Sequence, residues 1–189
     1  LQKLSKDKLS LNLILMIFPE LKNIKIFSKL SLYKKDILKE EDFIFLLSLM
    51  IIDNSDNTEY FLYKFNISKK NHMRIKIIYN FYKEKITLKT FTKNRMNKLL
   101  YFDGRQAVLD IINFQIVKSK SADKSLMDLK KTYENKIIPT MPVGADILMT
   151  KYKISKGKQL GDKLKMIESK WVENNFQISD QQVESIVNS

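Results

Sequence analysis

An all-α fold, an irregular array of many short helices, is what this sequence predicts, and three observations carry the prediction. Apolar residues recur at spacings of three and four in segment after segment, while the period-two alternation of half-buried strands is nearly missing. The 189 residues contain only four glycines and three prolines, and most of these fall between Pro139 and Gly161. The rest of the chain is almost uninterrupted helix-forming sequence. The length suits one or two small domains with a real core. With no cysteine and a single histidine, His72, disulfides, Cys-based metal sites and a His-based catalytic triad are excluded. No apolar run approaches the roughly 18 residues of a membrane helix. The N-terminal pattern, Lys3, Lys6 and Lys8 followed by a broken amphipathic stretch, is not that of a signal peptide. The expectation is a soluble, cytoplasmic protein without a membrane partner.

In chain order, 1–18 reads as a helix with Leu4, Leu9, Leu13, Ile14 and Ile17 as its apolar positions, stopped at Pro19. A turn and a short helix follow, from Phe18 to Ile24. Glu41–Ile52 is apolar nearly all round and is expected at the centre of the core, with Glu40, Glu41 and Asp42 serving the positive end of its dipole. After a polar turn at Asp53–Asn57, Ser68 is placed to cap a helix running to Tyr82, with Met73, Ile77, Ile78 and Phe81 inward. Thr87 is the expected cap of the next helix, to about Phe102. Gly104 separates it from Arg105–Val117, which buries Ala107, Val108, Ile111, Ile112 and Phe114. Ser121 opens a helix to about Asn135. Pro139 and Pro142 enforce extended backbone before Gly144, and Asp146 is placed to cap a short helix to Tyr152. Gly157 restarts the chain, and Leu160, Leu164, Ile167 and Trp171 form one stripe of an amphipathic helix. Trp171 is expected in the core and Glu168 in a pair with Lys165, while Gly161 marks a close helix contact. Ser179 and Gln182 have capping-box spacing for a last helix ending near Val187. The expected division is 1–135 and 136–189.

The net charge is +13, of which +11 belongs to residues 1–120 and +2 to 121–189. Only Arg74, Arg95 and Arg105 are arginine, so part of the lysine excess reflects an AT-rich coding bias. The bias does not account for the clustering. Between Lys69 and Arg105 stand Lys69, Lys70, Arg74, Lys76, Lys89, Lys93, Arg95, Lys98 and Arg105 among eleven cations, against only Glu84 and Asp103. Such a concentration attracts phosphate backbones. Lys156 and Lys158, beside a helix start at Gly157, add a smaller candidate site for phosphate. His72 and Tyr101 are read as surface and core side chains, although Tyr101 and Phe102 beside Gly104–Arg105 have the chemistry to stack on a base.

The C-terminal stretch carries a resemblance. Pro142, Gly144, Asp146, Ile147 and Leu148, then Gly157, Leu160, Gly161, Leu164, Ile167, Glu168 and Trp171, follow the pattern P-x-x-G-x-D-[LI]-L, linker, G-x-x-[LI]-G-x-x-L-x-x-[LI]-E-x-x-W, one residue short at the proline. This resembles the tail signature of the class II tRNA nucleotidyltransferases, the family of bacterial CCA-adding enzymes and poly(A) polymerases. The linker departs from the usual one: no glycine lies between Gly144 and Gly157, and Lys158 follows the latter. Leu4–Leu9 is similar to the family's L-S-x-E-R-[IV] neck segment, with Asp7 and Lys8 as the replacements.

The resemblance implies a helical neck, body and tail that grip the upper half of tRNA and hold its 3′ end at an active site. In the family that site lies on a head with a G-G-x-x-R-[DE] turn and a D-x-D pair holding magnesium, and the neck carries an E-D-x-x-R template. This chain has no Gly-Gly, no Asp-x-Asp and no such template, and it opens on Leu1. It is therefore expected to be the portion without the head, inactive alone, needing no cofactor itself, with magnesium implied for the head. The head is then on a separate polypeptide, or the chain comes from a truncated gene. The alternatives are the body of a poly(A) polymerase acting on other RNA 3′ ends and a non-catalytic helical protein-interaction module.

Overall fold

The computed structural model describes residues 1–53, 55–83, 90–120 and 123–189. Among them are twelve helices, one of them 3-10, and no strand, so the chain is all-α. The helices are α1 (Lys8–Ile17), a 3-10 turn (Ile24–Lys29), α2 (Leu32–Lys39), α3 (Phe43–Ile51), α4 (Asn57–Lys64), α5 (Lys69–Lys83), α6 (Lys93–Phe102), α7 (Gly104–Lys118), α8 (Lys124–Glu134), α9 (Ala145–Thr150), α10 (Lys158–Glu173) and α11 (Asp180–Asn188). None is long and apolar enough to cross a membrane, among the described residues. Two compact units account for the chain. One contains Leu1–Ile86 and Gln106–Glu134, the other Thr87–Arg105 and Asn135–Ser189.

The first unit is built on α3. Asp42 is its N-cap, its carboxylate accepting from the Phe45 N–H at 3.0 Å. Phe45, Leu49 and Ile51 are fully buried, joined in one core by Ile24 and Phe27 of the 3-10 turn, Phe61, Ile75, Ile78 and Phe114. The end of α3 is closed by side chains. Asn57 Nδ2 and Thr58 Oγ1 both donate to the Ile51 carbonyl, at 2.8 and 3.1 Å, and Asn23 Nδ2 donates to Ile52 at 2.8 Å.

α1 differs from its sequence reading. It begins at Lys8, where Asp7 caps it by accepting from the Leu9 N–H at 3.2 Å. Leu11, with Leu4, Ile14 and Leu15, faces the core. Leu9, Leu13 and Ile17 point outward, at 77%, 61% and 65% exposure. A helix apolar on two sides can bury either one, and the 3.6-residue period does not choose between them.

The second unit is built on α10. Gly157 is its N-cap at φ +153°, ψ −167°, a conformation that glycine alone adopts readily. Leu160, Ile167, Trp171 and Val172 are buried on one stripe, and Val143, Leu148, Ile154 and Val183 complete the neighbouring core. α6 packs against α10, with Tyr101 of α6 against Trp171 of α10, and α6 buries Met96 and Leu100 at 0% exposure. The Ser179–Gln182 capping box is present at the start of α11. Three local expectations need correcting. Gly144, not Asp146, caps α9, and Asp146 lies exposed in its first turn, where its charge still meets the positive end of the dipole. A Cβ at Gly161 would meet nothing within 4 Å, so this glycine marks no close helix contact. α8 begins at Lys124, with Asp123 accepting from the Ser125 N–H at 2.9 Å. The expected caps Thr87 and Ser121 lie outside the described residues.

Candidate nucleic-acid interface

In α5, Ile75, Ile78, Tyr79 and Phe81 fill the inward arc, which leaves Lys69, Lys70, Met73 and Lys76 on the solvent side. The start is set by Ser68, whose Oγ accepts from the Asn71 N–H at 3.4 Å. Lys69 and Lys76 are seven residues apart, two turns, and so stand one above the other, with Lys70 beside them. None of the three makes an ion pair or hydrogen bond with the described residues. Lys83 continues the row but bridges to Glu59 at 3.3 Å. His72 is half-buried on the flank.

Arg74 is engaged by two carboxylates of its own unit. Its Nε and Nη2 donate to the two oxygens of Asp110 at 2.6 and 2.9 Å, and its Nη1 donates to Asp42. Asp110, on α7, is 0% exposed and also accepts from Gln106 Nε2 at 2.9 Å. The Asp110 carboxylate, aided by Asp42, raises the already high pKa of Arg74 against the effect of burial. Burial by itself raises the Asp42 carboxyl, but the Phe45 N–H and the guanidinium outweigh it and hold this group below its ordinary value. Alongside, Asn113 Nδ2 donates to Glu41 Oε1 at 2.6 Å, and burial, helped by the nearby Asp110 charge, pushes Glu41 up. Asn113 Oδ1 has no partner among the described residues. This bidentate, charge-assisted arrangement ties α5, α7 and the start of α3 together. It occupies the guanidinium that the sequence assigned to phosphate.

The remaining candidates belong to the second unit or its edges. In α6, Thr92 Oγ1 accepts from the Arg95 N–H at 3.3 Å, Asn97 is buried, and Lys93 and Lys98 are exposed while Arg95 is half-buried. Arg105 is exposed and donates through Nη2 to the Lys136 carbonyl at 3.0 Å. Lys156 and Lys158 are exposed beside the α10 N-terminus, which no side chain caps. Lys89 lies outside the described residues. The cations between Lys69 and Arg105 are therefore divided between the two units. Among the described residues no group of three or more His, Cys, Asp or Glu is arranged to hold a metal ion.

Of the C-terminal signature residues, Glu168 and Trp171 are built into the packing of the second unit. Glu168 accepts from the Tyr101 hydroxyl at 2.6 Å rather than pairing with Lys165. That bond, with some desolvation, pushes the Tyr101 phenol up to about 12. Tyr101 also meets Trp171 edge-on at 5.4 Å, and Phe176 lies 5.0 Å from Trp171. Trp171 is 2% exposed, as expected of a core residue, whereas Pro142 is exposed.

Two buried lysines went unnoticed in the sequence. Lys34 Nζ donates to the carbonyls of Val117, at 2.9 Å, and Ser119, closing the C-terminus of α7. Lys163 Nζ donates to the Ile186 carbonyl at 2.7 Å and does the same for α11. Helical spacing was the available signal. Lys34 is three residues before buried Ile37, Lys163 is three after Leu160, and Arg74 is four before Ile78, so all three sit on inward stripes. A scan against models of known protein families, a search of curated proteins and a search of solved structures each find no match to this chain.

Proposed function

We propose that the chain binds RNA, and specifically that it is the tRNA-gripping helical portion of a CCA-adding nucleotidyltransferase. In this role it positions the tRNA 3′ end for nucleotide addition by a head supplied outside these 189 residues. The observation that carries the RNA reading is the solvent face of α5, where Lys69, Lys70 and Lys76 are exposed with no acid paired to them among the described residues. Lysines held on a rigid helix meet phosphates as point charges and read shape rather than sequence, as A-form RNA demands. The tRNA assignment rests on the C-terminal resemblance alone. On this reading the chain adds no nucleotide to tRNA when supplied with magnesium, CTP and ATP, since it lacks the family's Gly-Gly turn and Asp-x-Asp pair.

Filter binding of tRNA, poly(A) and duplex DNA over a salt series tests the proposal. Tight tRNA binding with a steep salt dependence is expected, because each phosphate contact releases condensed counterions. Changing Lys69, Lys70 and Lys76 to Gln should weaken binding and flatten the slope of log K against log salt by a little under one unit per contact. Arg74 is excluded from this variant because its loss would perturb the fold. Equal affinities and slopes for parent and triple variant would overturn the assignment. Preference for poly(A) over tRNA would move the substrate to other RNA 3′ ends.

A further inference from the structure

The outer face of α1 is the largest departure from ordinary surface chemistry in the first unit. Leu9, Leu13, Met16 and Ile17 are 77%, 61%, 80% and 65% exposed, and they fall within one arc of the helix. No charged side chain interrupts them. Other exposed large apolar side chains stand singly or in twos, such as Tyr60 with Tyr63 on α4 and Ile137 with Ile138 after α8, and scattered ones need no explanation. Four contiguous ones do, since such a patch marks an interface.

We infer that this face joins two copies of the chain, α1 against α1 in antiparallel orientation about a two-fold axis at Leu13. The spacing is self-complementary. Leu9 and Ile17 stand four residues either side of Leu13, so the axis sets each Leu9 against the other copy's Ile17 and Leu13 against itself. The charges select the same orientation. Lys3, Lys6 and Lys8 crowd the N-terminal end, exposed and without ion pairs among the described residues, while Asp7 is held by the cap and Ser10. The C-terminal end has no basic residue in its last turn, and beyond it Pro19, Glu20, Lys22, Asp56 and Tyr60 line a depression. There Glu20 is bridged to Lys64 at 2.7 Å and Lys22 to Asp53 at 3.9 Å, which leaves the exposed Asp56 as the acid without an ion pair among the described residues. Antiparallel pairing brings the lysines of one copy to the negative end of the other copy's helix and to that acid. Parallel pairing would set the two lysine rows against each other. An uncharged stripe offers nothing to phosphate, so the inference is independent of RNA binding.

The chain contains no cysteine, which makes cross-linking decisive. Leu13→Cys should form a disulfide-linked dimer under mild oxidation, because residues on the axis bring their Cβ atoms together. Tyr63→Cys, at 90% exposure on α4, should stay monomeric. Sedimentation equilibrium of the parent should show a mass rising with concentration toward twice the 22.3 kDa of one chain. Leu13→Glu with Met16→Glu should return it to one chain mass with an unchanged circular dichroism spectrum, since both side chains already face solvent. A parent that stays monomeric at every concentration, with Leu13→Cys linking no more than Tyr63→Cys, overturns the inference. Co-sedimentation of a monomeric parent with anionic vesicles, lost in the double Glu variant, overturns it equally and gives the face to a lipid surface.

Discussion

Removing the charge of Arg74 should unfold the first unit far more easily than removing the charge of Lys76, two residues away on the same helix. Asp110 is 0% exposed, and both its oxygens accept from Arg74, at 2.6 and 2.9 Å. In Arg74→Gln that carboxylate keeps only Gln106 as a donor. Breaking a buried pair from one side costs about 3–5 kcal/mol. The lower end applies here, because the guanidinium side chain is 16% exposed and its second partner, Asp42, is 58% exposed. A loss of about 3 kcal/mol is a large part of the 5–15 kcal/mol that stabilises a typical domain. With a urea dependence of roughly 1–3 kcal/mol per molar, the midpoint should fall by about 1–3 M. Lys76→Gln should move it by no more than about 0.5 kcal/mol in free energy. Urea titrations followed by far-ultraviolet circular dichroism measure both. Arg74→Met combined with Asp110→Leu should recover much of the loss, since an apolar pair leaves no stranded charge. Coincident midpoints for Arg74→Gln and Lys76→Gln would refute the assignment of Arg74 to the interior.

Trp171→Ala should cost about 3–5 kcal/mol, read as a lowered unfolding midpoint, because it empties the site where Tyr101 and Phe176 meet. Glu168→Gln should bring the Tyr101 phenol down from about 12 toward 10, visible in an NMR titration of ring-labelled tyrosine; an unmoved value would mean burial alone sets it. Glu41→Gln keeps the acceptor for Asn113 Nδ2 and adds an N–H that the unpartnered Asn113 Oδ1 can accept. The folded-state pKa of Glu41 is raised, so its contribution to stability is present below about 4.5 and lost as pH rises through the folded value. The variant should therefore exceed the parent by about 1 kcal/mol at pH 7 and lose that advantage in acid. Asp42 and Glu20 have the opposite sign. Their folded pKa values are lowered, Glu20 by the Lys64 ammonium against its burial, so their stabilisation is present above about 4 and lost as pH falls through the folded values. Unfolding midpoints of the parent between pH 7 and pH 2 should decline mainly at the acid end.

Much of the fold was legible because helix periodicity and caps are local. Asp42, Ser68, Gly157 and the Ser179–Gln182 pair each define a helix start within a few residues, and Trp171 could be placed in the core from the stripe that holds it. Basic charge was equally legible as a total. Its distribution in space was not, because an ion pair such as Arg74–Asp110 joins residues 36 apart, and no local pattern announces it. The inward spacing of Arg74, Lys34 and Lys163 was a usable hint, but lysine and arginine stems also lie along apolar surface with their charges in water.

By itself the sequence determined an all-α chain, the placing of most helix ends and an excess of positive charge, since these follow from side-chain chemistry within one or two turns. Only the tertiary structure decided which apolar side of α1 is buried, because both sides have the period and the choice depends on what the rest of the core presents. It also decided that Thr87–Arg105 joins the C-terminal residues in one unit, through Tyr101 with Glu168 and α6 with α10. The physical reason is the same in both cases. Burial and pairing are set by which surfaces meet across long stretches of chain, and a helix's own sequence records only that it has a surface to offer.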